Sequence, residues 1–229
     1  MSNPRMVIFD LDGTLVDSAP DIARAAAVTL REAGVAPPSL EAVRTMVGDG
    51  ARALIARALV AAGVERDADA LLARFLVHYA DGLCVDSRLY EGVAGLLERL
   101  RAKGVAAAVL TNKPGDLARG LLSRLGIAAA FTAVVGDGDG FPRKPDPAAA
   151  RALLQTAKVA PQQAVVVGDG LPDVQLAQAL GTRSVAVAWG YVAPERLRAA
   201  GASSVVSTAG ELAQALGAAD ERHQTGQGG

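Results

Sequence analysis

The sequence predicts an α/β protein with a parallel-sheet core and a smaller, all-helical segment inserted after the first strand. Three observations predict it. From Tyr90 onward, short apolar strand-like runs alternate with helical stretches of roughly ten residues, the pattern of βα units. Those runs, Val105–Leu110 and Ala164–Val167 among them, are apolar almost without interruption, which suits strands covered on both faces. Between residues 17 and 82 the apolar spacing is helical and no convincing strand stands out.

Taken in order, Met6-Val7-Ile8-Phe9 reads as a buried strand running out into Asp10-Leu11-Asp12-Gly13-Thr14. Two carboxylates at i and i+2 behind such a strand are costly unless a cation meets them, and a divalent metal is the obvious candidate. Gly13 allows a sharp turn, and Thr14 offers a hydroxyl and an amide to an anion. Pro20 and Asp21 open a helix to about Arg31, which Gly34 and Pro37-Pro38 end. Ser39 caps a short helix from Leu40, Val47-Gly48-Asp49-Gly50 is a turn, and residues 51–62 form a helix. Leu71, Leu72, Phe75, Leu76 and Tyr79 keep helical spacing up to Gly82. Helix 92–102 feeds strand 105–110, which stops at Thr111-Asn112-Lys113-Pro114. Helix 115–125, strand 131–135, helix 146–157, strand 164–167, helix 173–180 and strand 184–188 complete the alternation. The domains expected are therefore a core of residues 1–16 and 83–216, a helical insert at 17–82, and a polar, Gly-rich disordered tail at 217–229.

Composition narrows the function. The chain has 229 residues, 51% hydrophobic and 21% charged, with a formal net charge of -1. That balance leaves no basic footprint for nucleic acid and no polybasic stretch for a membrane surface, so small-molecule chemistry is favoured. No apolar run approaches the ~20 residues of a spanning helix, and the N-terminus enters a strand without a signal peptide. Cys84 stands alone, which suits a cytoplasmic protein. The two histidines, His78 and His223, cannot supply a His-rich zinc site or a Ser-His-Asp centre.

In open parallel sheets, ligands bind beyond the carboxyl ends of the strands. Asp10 and Asp12, Thr111 and Asn112, and Asp169 and Asp173 each lie just past an expected strand, and Lys144 lies on the loop after strand 131–135. Singly, each has an ordinary reading as a helix cap, a turn residue or a surface lysine. Together they put four carboxylates, one hydroxyl and one ammonium on one rim, too much like charge without a metal. Asp137 and Asp139 lack the ligand spacing of a calcium loop, and Gly136-x-Gly138-x-Gly140 is not a dinucleotide fingerprint.

The set Asp10-Leu-Asp12-Gly-Thr, Thr111-Asn112, Lys144-Pro-Asp-Pro and Gly168-Asp169-x-x-x-Asp173, in this order, resembles the haloacid dehalogenase superfamily over nearly the whole chain. Tyr90-x-Gly92-Val93, Thr111-Asn112-Lys113-Pro114, Arg143-Lys144-Pro145-Asp146-Pro147 and Val43–Ala51 are most similar to bacterial phosphoglycolate phosphatases. The resemblance implies a three-layer, Rossmann-like core and reads the insert as a small α-helical cap. It implies a phosphoric monoester hydrolase with Asp10 as nucleophile and Asp12 as general acid and base. Mg2+ would be held by Asp10, the Asp12 carbonyl and Asp169. Thr111, Asn112 and Lys144 would bind the phosphoryl group, with Asp173 orienting Lys144 or a metal-bound water.

Arg44 and the Gly50 turn are candidates for meeting the leaving group. The substrate expected is a small phosphorylated metabolite, 2-phosphoglycolate first. The alternatives are a phosphosugar, including amino-sugar phosphates, a β-phosphoglucomutase-like mutase reaction, or a non-catalytic phospho-ligand regulator. A monomer or homodimer in the cytoplasm is expected. Asp12 argues against dehalogenation, because dehalogenases of the superfamily lack this acid. Gly170 departs from the Ser or Thr common after the motif-four Asp, so a contact from that hydroxyl is absent.

Overall fold

The computed structural model describes residues 3–219. Its main sheet has six parallel strands. These are β1 (Met6–Phe9), β4 (Ala106–Pro114), β5 (Ala133–Asp137), β6 (Ala164–Gly168), β7 (Arg183–Val187) and β8 (Ser204–Val206), in spatial order β5-β4-β1-β6-β7-β8. Strand β1 is central, paired with β4 through Met6↔Ala106 and with β6 through Met6↔Ala164. Its four residues are at most 1% exposed. Alternation sends them to opposite faces: Val7 and Phe9 join one core cluster, Met6 and Ile8 the other. On the Val7/Phe9 face pack α5 (Val93–Ala102), α6 (Gly115–Arg124) and α10 (Ala209–Ala215); on the other pack α7 (Ala148–Ala157) and α8 (Leu171–Leu180). The result is the three-layer α/β arrangement expected from the uninterrupted apolar strands.

The helical insert leaves and re-enters through two adjacent connections. Strands β2 (Val16–Asp17) and β3 (Arg88–Leu89) pair antiparallel there, and between them run α1 (Ala19–Glu32), α2 (Leu40–Met46), α3 (Ala51–Ala61) and α4 (Asp69–Asp81). Pro at the first turn of α1 and the Ser39 hydroxyl accepting from Ala42 N–H mark two of the helix starts. Ile22, Leu54, Ile55, Leu59 and Phe75 close the insert's interior and run continuously into the Val7/Phe9 core.

Several boundaries differ from the sequence reading, each for a local reason. The strand expected at 105–110 continues to Pro114, because β5 keeps pairing past a register shift between Leu110 and Pro114. Asp17 belongs to a two-residue strand, too short to show a period. Strand β8, α9 (Pro194–Ala199) and α10 follow the last expected strand and are likewise short. Of the expected tail 217–229, Ala218 is fully buried and donates its N–H to the Ala213 carbonyl, and Gly217 accepts from Lys103 Nζ, so these residues close the core. Residues 220–229 lie outside the described residues.

Candidate active site

The carboxyl ends of β1, β4 and β6 meet at one rim, and the polar residues expected there converge. Asp10 follows β1, and its N–H donates to the Val167 carbonyl of β6, which fixes the start of the loop. Gly13 then adopts φ +84, and a side chain there would place a Cβ 2.3 Å from Asp169 Oδ2. Only glycine admits both that backbone and that approach. Gly190, after β7, also packs closely on this side chain, where a Cβ would sit 2.2 Å from Asp169 Cβ. Two glycines thus make room for Asp169. Thr14 Oγ1 donates to its Oδ1 at 2.9 Å and the Tyr191 N–H to its Oδ2 at 2.8 Å. The anion that Thr14 meets is this carboxylate.

Asp10, Asp169 and Asp173 present carboxylate oxygens within 4.8 Å of one another. Lys144 Nζ lies 2.7 Å from Asp10 Oδ1 and donates to Asp173 Oδ1 at 2.7 Å. The first is a charge contact whose angle leaves Asp10 Oδ1, buried, without an aligned donor. Asp173 Oδ2 accepts from the Gly170 N–H at 3.0 Å at the start of α8, so both its oxygens are engaged. Burial, reinforced by the charge of Asp10, pushes the Asp169 carboxyl up to about 8. Burial lowers Lys144, and the charges of Asp10 and Asp173 more than reverse this, so it stays an ammonium.

This donor set fits a small hard cation. It is all oxygen, it carries more negative charge than Lys144 offsets, it holds an unaligned buried oxygen on Asp10, and one of its carboxyls resists ionising without a counter-charge. Asp10 and Asp169 would hold such an ion.

Asp12 points elsewhere. Its Oδ1 accepts from Ser18 Oγ at 2.5 Å, and Lys113 Nζ donates to both its oxygens at 2.9 and 3.1 Å. Lys113 was not among the expected site residues. It adds a second buried ammonium to the rim, where the sequence reading counted one, and its Nζ also donates to the Tyr79 hydroxyl on α4 of the insert. Burial pushes the Tyr79 phenol up to about 12.

Of the expected phosphoryl ligands, Thr111 and Lys144 face the rim. Asn112 reaches it but spends its amide on backbone: Oδ1 accepts from the Lys144 N–H at 2.8 Å, and Nδ2 donates to the Lys144 and Gly48 carbonyls at 3.2 and 3.0 Å. It therefore clamps the Lys144 loop and ties the insert's α2–α3 turn to the core. Gly50 lines the cavity over Asp10 and Asp12, together with Ile22, Leu54, Phe75 and Tyr79. Arg44 does not. Its guanidinium is held by Glu41 at 2.5 Å and by Asp17 Oδ2 at 3.2 Å, outside that cavity. Tyr191 was also missed. Its hydroxyl accepts from the Ser18 and Ala19 N–H groups at the start of α1 and donates to Asp17. Its place just past β7, at the same sheet edge, was the available signal.

With this geometry in hand, the profile of the family described as "Haloacid dehalogenase-like hydrolase" matches residues 7–187. The chain belongs to that family. It is similar to a phosphoglycolate phosphatase of Rhodospirillum rubrum, 44% identical over 93% of this chain and 91% of the relative. It is also similar to a phosphoglycolate phosphatase of Pseudomonas putida, 44% identical over 82% of this chain and 71% of the relative. Among solved structures, a predicted phosphoglycolate phosphatase from Haemophilus somnus superimposes with a TM-score of 0.87 at 30% identity, covering 94% of this chain and 99% of that one. The expectations of family, fold class and enzyme class, a phosphoric monoester hydrolase, stand on these matches. Among the described residues, no helix is long and apolar enough to cross a membrane.

Proposed function

We propose that this haloacid dehalogenase-like hydrolase is a Mg2+-dependent phosphatase of small phosphomonoesters, with 2-phosphoglycolate the leading substrate and an aspartyl phosphate on Asp10 as intermediate. The observation that carries the reading is the division between two carboxylates two residues apart. Asp10 sits in the Lys144–Asp169–Asp173 cluster, whereas Asp12 turns to Lys113 and Ser18. Paired acids in separate environments are how one site supplies both a nucleophile and a proton carrier.

In the first half-reaction an Asp10 carboxylate oxygen attacks phosphorus, the phosphorus–ester oxygen bond breaks, and the departing oxygen takes a proton from Asp12. In the second, water attacks the same phosphorus and gives its proton to Asp12, and the bond to Asp10 breaks, releasing phosphate. Lys144, kept cationic by its carboxylate neighbours, and the Thr111 hydroxyl would hold the phosphoryl oxygens, while Asn112 fixes the Lys144 backbone. Bound Mg2+ would supply charge that offsets repulsion between Asp10 and the phosphoryl group. The helical insert at 17–82 would act as the cap.

Support for a small leaving group comes from the cavity under the insert, about 40 Å3, with Ile22, Leu54, Phe75 and Leu76 on the insert side and Asp10, Asp12, Thr111 and Lys113 on the rim side. The named relatives point the same way. A cytoplasmic setting belongs to this proposal and rests on the free Cys84. The test is phosphate release from 2-phosphoglycolate and a panel of sugar phosphates, with and without Mg2+. The expected result is a kcat/KM at least about 10-fold higher for 2-phosphoglycolate and loss of all turnover in Asp10→Asn. Sugar phosphates leading the panel would overturn the substrate, and an active Asp10→Asn the nucleophile.

A further inference from the structure

The ammonium of Lys113 links Asp12 to α4 of the helical insert, whereas Ser18 meets Asp12 from the insert's first residues. Lys113 lies at the end of β4, its side chain is 2% exposed, and its contacts run to both oxygens of Asp12 and to the Tyr79 hydroxyl on α4. These contacts account for the three hydrogens an ammonium carries. Tyr79 is itself fixed, stacked on Phe75 with ring centroids 5.8 Å apart and 3% exposed. One residue earlier, Asn112 ties the Gly48 carbonyl of the insert to the Lys144 loop. Consecutive residues of β4 thus fasten the insert to the two sides of the site.

We propose that Lys113 and Tyr79 are positioning residues that hold the Asp12 carboxyl against the ester oxygen, Lys113 directly and Tyr79 by fixing the Lys113 ammonium. The inference rests on the phosphatase reading above. Ser18 holds only Oδ1 of Asp12, so without Lys113 the carboxyl loses the partner that fixes both oxygens. Without the Tyr79 hydroxyl, Lys113 loses its tie to α4 but keeps Asp12. The first loss is large and the second smaller, in the same direction.

A positioned proton carrier matters in proportion to how poorly the leaving group departs by itself, and that separates this role from a purely structural one. Three small substrates divide the possibilities: 2-phosphoglycolate, ethyl phosphate and acetyl phosphate, whose carboxylate leaving group departs without a proton. The parameter is kcat/KM, which covers steps only through leaving-group departure and is blind to the later attack by water.

For Lys113→Met the expected loss is about 100-fold for both 2-phosphoglycolate and ethyl phosphate and less than about 5-fold for acetyl phosphate. Tyr79→Phe, which keeps the stacking on Phe75, should show the same order with losses of about 5- to 10-fold on the two alkyl esters. A loss confined to 2-phosphoglycolate would overturn the proposal by showing that Lys113 reads the substrate carboxylate. Equal losses on all three, or none on any, would overturn it as well. Should Lys113→Met fail to fold, Tyr79→Phe alone decides by the same pattern. A wild-type enzyme inactive on all three would sink the phosphatase reading itself, an outcome distinct from a flat pattern in an active enzyme.

Discussion

The rim of the sheet and the outer surface of the helical insert use the same side chains to opposite effect. On the rim, Asp10, Asp12, Asp169 and Asp173 share Lys113 and Lys144, and all but Asp12 are buried to 8% exposure or less. On the insert, Glu32 pairs with Arg74 and His78, Arg52 with Asp69, and Arg57 with Asp49, mostly with half-exposed side chains. In the buried set burial and the charge of Asp10 raise the Asp169 carboxyl, the charges of Asp10 and Asp173 keep Lys144 an ammonium, and the set is left short of positive charge. In the exposed set water screens each pair, and such pairs add little to stability. Burial, rather than residue type, separates reactive charge from solubilising charge in this chain.

Removing one charge from the buried set sharpens the contrast most. A folded-state carboxyl raised from 3.8 to about 8 contributes stability that is present at low pH and lost as pH rises through that window. Metal-free wild type should therefore lose melting temperature between about pH 4 and pH 8 relative to Asp169→Asn, by a few kcal/mol or roughly 5–10 °C for a chain of this size. Adding Mg2+ should reverse the loss in wild type and leave the variant unmoved. Calorimetry across that pH range decides. Parallel curves for the two proteins would show that Asp169 carries no such strain.

The same contrast explains what the sequence yielded. Asp10, Asp12, Thr111, Lys144, Asp169 and Asp173 were legible because each follows an apolar strand, and a parallel sheet brings strand ends to one edge. Lys113 and Tyr79 were not, since a helix of the insert must be laid over β4 before they meet across 34 positions of sequence. Tyr191 depends likewise on a loop after β7 reaching the start of α1, 173 positions away. Arg44, expected to meet the leaving group, lies outside the cavity over Asp10 and Asp12. Its Glu41 partner sits at i−3 on the same helix, a spacing that already allows a local ion pair.

Arg44 tests where the boundary between the two regions falls. Its guanidinium is a third exposed and bound to Asp17 at the insert's hinge, so it belongs with the surface pairs. Arg44→Ala should leave kcat/KM for 2-phosphoglycolate within about 3-fold and change stability by less than about 1 kcal/mol. Substrate binding weakened by an order of magnitude or more would place Arg44 in contact with the bound ester and move it to the reactive set.

The smallest effect should come from Glu32, which pairs with two cations on the insert's surface. Arg74 reaches both its oxygens, at 2.9 and 3.3 Å, and His78 Nε2 lies 3.0 Å away. The Arg74 hydrogen bonds, followed by that of His78, hold its carboxyl down at about 2 against a usual 4.5. A depressed carboxyl contributes above 4.5 and loses its contribution as pH falls towards 2, the reverse of Asp169. Water around the half-exposed pair screens the effect, so Glu32→Gln should lower the melting temperature at pH 7 by no more than about 1–2 °C. The difference should shrink below pH 4.5 and in high salt, with kcat/KM unchanged. A larger, salt-insensitive loss would mean that these helices are held by charge, although Ile22 and Leu30 of α1 and Phe75 and Tyr79 of α4 already bury their inner faces. In that case the two regions would differ in their chemistry alone and not in how their charges act.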